Sequence, residues 1–167
     1  ETVEADGPFS GYASLFGTTD LAGDLVERGA FSKSLKARGP AGVKMLWQHD
    51  PAEPIGMWTR LAEDRRGLHV TGRLMGEVGR AREVLALMRA GALDGLSIGF
   101  KTVRARRDRK SGVRQLIEVD LWEISVVTFP MLTGARVGRV KGSPWAVTES
   151  PADAIRRAAG RLREAAH

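Results

Sequence analysis

Gly95-Leu96-Ser97-Ile98-Gly99-Phe100 sets a serine between two glycines with apolar residues around it. A serine hydroxyl is a weak nucleophile until a neighbouring base takes its proton. The stretch therefore has two readings: a small residue in a tightly packed strand, or an activated nucleophile. The familiar version of Gly-x-Ser-x-Gly is an elbow with a strand before the serine and a helix after it. Here the order is reversed. Upstream, residues 78–90 place Ala81, Val84, Leu85 and Met88 at helical spacing, with Arg80, Arg82 and Arg89 free to face water and Gly91 as a stop. Downstream, Leu96 to about Val103 reads as a strand. Any serine chemistry at Ser97 must therefore sit on a fold other than the doubly wound hydrolase.

Working outward, most of the chain reads as strands. Residues 9–16 alternate loosely and argue for a strand, and 17–23 form a turn-rich loop. Asp20 and Asp24 flank that loop without the ligand spacing of an EF-hand. Residues 30–37 fit a short helix that buries Phe31 and Leu35 and ends at Gly39-Pro40. Val43 to Gln48 is a strand running into His49-Asp50-Pro51. Proline at 51 argues against a continued ladder, so His49 falls where a strand gives way to a loop. Residues 55–62 and 67–74 are further strands, and the alternation of the second puts His69 on its polar face. Residues 104–114 form a hairpin tip carrying Arg104, Arg106, Arg107, Arg109, Lys110 and Arg114.

The longest strand is Leu116 to Phe129, closed by Pro130. Ile117, Val119 and Leu121 alternate with Glu118 and Asp120, and the same alternation carried forward puts Glu123 on the apolar face. A carboxylate there is costly unless it is paired. Its partner is an arginine in a structural ion pair, or a histidine.

Bulk composition narrows the chemistry. The 167 residues suit one domain, and 43% hydrophobic with 28% charged residues is an ordinary globular balance. No apolar run reaches the roughly 18 residues of a membrane span, and no signal-peptide pattern opens the chain, so an intracellular protein without a membrane partner is expected. With no cysteine and only three histidines, thiolate chemistry is excluded and no cofactor or metal is expected. The net charge of +6 suits an acidic partner or nucleic acid, or is simply solvated.

His49, Ser97 and Glu123 come from three separate strand segments and make a chemically complete set. Ser97 would attack a carbonyl, His49 would shuttle its proton, and Glu123 would hold the imidazole. The flanking glycines would let a substrate strand approach and leave backbone N–H groups for an oxyanion. Spacing alone leaves other triads open.

Taken together, Trp47-Gln48-His49-Asp50-Pro51, Pro54-Ile55-Gly56, Gly95 to Phe100 and Trp122 to Pro130 closely resemble the prohead maturation proteases of tailed phages. Gly11 to Phe16 and Gly29 to Leu35 add to the likeness, which spans about residues 9–137. The resemblance implies a β-rich α+β fold like that of the herpesvirus proteases, a closed β-barrel surrounded by helices. It implies a serine endopeptidase, with Glu123 standing where those relatives use a second histidine. It also implies packaging inside assembling proheads in the host bacterial cytoplasm, and action on the scaffolding region of the major capsid protein and on itself, as a homo-oligomer. An oxyanion role for Arg136 is implied too, although Met131-Leu132-Thr133 departs from the family's small turn. A phage, a prophage and a gene transfer particle all fit as the source.

The expected division is a protease domain over 1–140, then a linker and amphipathic helix over 141–167, with Ser150 as N-cap. The competing reading is a non-catalytic basic module that binds nucleic acid or an acidic scaffold through residues 104–114. That cluster lacks interleaved aromatics, so base stacking is not indicated and specific nucleic-acid binding is not expected.

Overall fold

The computed structural model describes residues 8–140; the linker and helix expected over 141–167 lie outside them. The elements are β1 (Pro8–Leu15), β2 (Asp24–Val26), α1 (Ser32–Gly42), β3 (Lys44–Trp47), β4 (Asp50–Glu63), β5 (Gly67–Leu74), α2 (Gly79–Arg89), β6 (Gly95–Arg107), β7 (Arg114–Val127) and β8 (Val137–Val140). Every strand joins one sheet. Its order is β2-β7-β3-β4-β5-β1-β8, and β6 lies along the other edge of β7.

The sheet curls into an open half-barrel rather than the closed barrel expected. Among the described residues, the seam between β6 and β8 is held only at its start. Gly95 bridges Arg136, Leu96 N–H donates to Ala135 O at 2.9 Å, and Val137 N–H donates to Asp94 O at 2.8 Å. β8 pairs with β1, and among the described residues no strand covers β6 beyond Leu96.

The interior is aliphatic and aromatic. Phe9 and Trp58 meet edge to face at 5.5 Å, and Ile55, Leu68, Val70, Leu74, Leu96, Leu121, Ile124 and Val126 are fully buried. Each such side chain contributes about 1.5–3 kcal/mol relative to exposure. Helix α2 buries Ala81, Val84, Leu85 and Met88, the face its spacing predicts.

β7 is the organising strand. On one edge β6 pairs with it throughout; on the other, β2 and β3 run parallel to its two ends. Helix α1 and its lead-in fill the gap between those two. Val119 N–H donates to Ala30 O at 3.0 Å, and Leu121 N–H donates to Ser34 Oγ at 2.8 Å. Arg38 grips Asp120 through two bonds of 2.9 and 2.8 Å. That guanidinium, with Trp122 Nε1–H, holds the Asp120 carboxyl down at about 2. The expected end of α1 at Gly39-Pro40 is a kink instead: Gly39 leaves helical geometry and the chain resumes to Gly42.

Pro51 does not end the ladder as expected. β4 starts at Asp50, and Trp47 pairs with Asp50 across a two-residue loop. Proline is tolerated because the register shifts on both sides of Leu46, leaving irregular pairing where its N–H is missing.

Candidate active site

That two-residue loop is Gln48-His49, and both residues have positive φ, +52° and +63°. Two positive φ values between paired strands are the mark of a type I′ hairpin turn, usually built from Asn and Gly. For residues with a Cβ this conformation costs about 1–2 kcal/mol each. His49 is therefore displayed by a strained tight turn, not by the loose strand end read from the sequence. Strand β7 offsets the strain. Gln48 N–H donates to Val126 O at 3.1 Å, and His49 N–H donates to Ser125 Oγ at 3.1 Å. The Gln48 amide donates to Thr128 Oγ1 at 2.7 Å and accepts from Thr128 N–H at 3.3 Å.

Glu123 reaches His49 by a route the alternation did not predict. Gly99 pairs with Glu123, but the next pair is Phe100 with Leu121, so Trp122 is an extra residue and β7 bulges. A bulge shifts the phase of side chains. Leu121 and Ile124 both face the core, while Glu123 and Ser125 turn to the opposite face, away from the apolar face expected for Glu123. There Glu123 Oε1 lies 2.6 Å from His49 Nδ1, and Oε2 accepts from Ser125 Oγ at 2.6 Å.

The two glycines of the opening stretch have separate jobs. A Cβ at Gly99 would lie 2.0 Å from Glu123 Oε1, so glycine leaves the room the carboxylate occupies. A Cβ at Gly95 would lie 2.4 Å from Val127 O and 2.9 Å from Pro130 Cδ, so this one permits close strand packing.

Ser97 is the direct cross-strand partner of Ser125. Such partners share a face with Cβ atoms about 5 Å apart. Ser97 therefore stands one step from the hydroxyl that touches both His49 and Glu123, and its own hydroxyl has no hydrogen-bond partner among the described residues. Because Leu96 N–H points to the seam, alternation aims Ile98 N–H at the same open edge. Along that edge lies a cavity of about 180 Å³, lined by Leu96, Ser97, Ile98 and Phe100 of β6 and by Ala13, Asp20, Val26 and Met131 across from them. Arg136 borders the seam, but its guanidinium is engaged with Asp94 and with Thr133 O at 2.9 Å.

The Glu123 hydrogen bond, reinforced by its charge, raises the His49 pKa above the ordinary imidazole value against the opposing effect of burial. The carboxylate is 13% exposed and the imidazole 43%, so the pair is sheltered on the acid's side and open on the base's side. Among the described residues no cluster of acids and histidines has the makings of a metal site.

Ser125 was missed in the sequence. Its signal was a lone hydroxyl inside the run Ile124-Ser125-Val126-Val127, where a buried polar side chain needs partners.

The family model described as Caudovirus prohead serine protease matches residues 1–148. The prohead protease of Enterobacteria phage HK97 is 37% identical over 137 residues, covering 81% of this chain and 60% of that protein. The prohead protease of Escherichia phage T5 is 27% identical over 131 residues, covering 78% and 61%. The chain thus spans about three fifths of the length of these relatives. In fold it resembles the capsid assembly protease of bacteriophage T4, with a TM-score of 0.58 at 14% identity, covering 72% of this chain and 80% of that one. It also resembles the KSHV protease solved with a hexapeptide phosphonate inhibitor, with a TM-score of 0.50 at 13% identity, covering 96% and 76%.

Proposed function

Since the chain belongs to the Caudovirus prohead serine protease family, we propose that it is a serine endopeptidase of capsid maturation that works through Ser97, His49 and Glu123. The observation that carries this reading is the 2.6 Å contact between His49 and Glu123, one strand step behind a serine whose hydroxyl is uncommitted.

With Nδ1 turned to Glu123, His49 keeps Nε2 for proton transfer. Ser97 Oγ attacks the scissile carbonyl, and Nε2 takes its proton and returns it to the leaving amine. Glu123 holds the imidazole in that tautomer and stabilises the imidazolium. Water then hydrolyses the acyl-enzyme by the same relay. Ile98 N–H, the first backbone donor after the nucleophile, points to the open edge where the oxyanion would form. Arg136 would have to leave Asp94 to assist.

A substrate strand laid along the bare edge of β6 would gain main-chain hydrogen bonds. Its side chains on one face would then enter the cavity that Ser97 lines. The substrate is the scaffolding region of the major capsid protein, together with the enzyme itself, inside assembling proheads. The exposed basic hairpin of residues 104–113 suits an acidic segment of such a scaffold.

Co-expression with the capsid protein tests this. The parent should yield a capsid protein shortened at its scaffold junction by intact mass, and Ser97→Ala should leave it full length. Processing by Ser97→Ala would defeat the assignment.

A further inference from the structure

We propose that Ser125 is a positioning residue that sets the catalytic imidazole and its carboxylate with one hydroxyl. The inference rests on the His49–Glu123 reading above and adds a member to it.

A hydroxyl has one proton and two lone pairs. The Ser125 proton goes to Glu123 Oε2 at 2.6 Å, and a lone pair takes the His49 N–H at 3.1 Å. The carboxylate is thereby held at both oxygens, one by the imidazole and one by Ser125, so it cannot rotate away. The same atom pins the backbone of the residue whose φ of +63° carries the ring. Nothing else among the described residues donates to Oε2 or accepts from that N–H. Ser125 is fully buried, so bulk water does not stand in for its hydroxyl. Ser97 is also buried, at 6% exposure, but its hydroxyl is uncommitted, whereas the Ser125 proton is held by Glu123. Gly99 completes the arrangement by leaving space for Oε1.

The test uses a fluorophosphonate, which acylates an activated serine without the natural substrate. Its rate is followed against pH for the parent, Ser125→Ala and Ser97→Ala. Without Ser125, the carboxylate loosens from the imidazole and the ring loses part of its stabilisation as a cation. The plateau rate should fall roughly 10-fold or more, the scale set by losing an orienting partner. The acid limb should also move to lower pH. An unchanged plateau overturns the proposal. So does a slower plateau whose limb stays put or moves to higher pH, since loose packing alone would not shift it downward and lost charge withdrawal would raise it. If Ser97→Ala is still acylated at the parent rate, the reading of the site fails instead. Should Ser125→Ala not fold, Ser125→Cys keeps the volume with a weak donor and acceptor, and the same outcomes apply.

Discussion

Glu123 shows how much rests on one side chain's direction. Its 2.6 Å bond to Nδ1 favours the imidazolium, so on the proposed mechanism His49 stays protonated, and inactive as a base, up to a higher pH than an ordinary histidine would. Glu123→Gln removes the charge, leaves burial to lower the His49 pKa, and lets an amide N–H compete for Nδ1 in the wrong tautomer. The acylation rate should fall at least about 100-fold, and its acid limb should move to lower pH. A parent-like rate would leave Glu123 a structural role only. That Glu123 needs a counterpart was legible in the sequence, because a carboxylate in an apolar strand must be paired. That argument left an arginine and a histidine equally open. The face Glu123 occupies was not legible, because one extra residue, Trp122, inverts the phase and no local composition announces it. Nor does Gln48-His49 announce a type I′ turn; that conformation is imposed by Ser125, Val126 and Thr128 from 76 to 80 residues away.

Among the elements, α2 and the strands around it followed from periodicity, since each buries one face against one neighbour. Helix α1 did not. Its ends are set by tertiary partners: Glu63 accepts from Phe31 N–H at 2.8 Å, and Ser34 and Arg38 lean on β7. In that role α1 replaces a missing strand, because β7 would otherwise expose bare backbone between β2 and β3. Ser34→Ala should strand the Leu121 N–H and cost about 1–3 kcal/mol of stability. In urea this would appear as a lower midpoint with an unchanged slope. A midpoint equal to the parent's would mean that water or a shift of α1 satisfies that N–H.

For the whole molecule, the half-barrel matters more than a closed barrel would. Closure by a strand along all of β6 would occupy the edge proposed for a substrate strand, whereas the seam held near Gly95 and Arg136 leaves Ile98 and the adjoining cavity open. The opening lies where β8 runs along β1 instead of β6, a choice of partner that local patterning does not specify. The account stands or falls on Ser97 being the activated hydroxyl at that edge. Treating the protein with a fluorophosphonate and mapping the adduct by peptide mass spectrometry tests this directly. The account predicts one adduct, on Ser97, that disappears in His49→Ala. An adduct on another serine, or none at a pH where His49 is neutral, would contradict it.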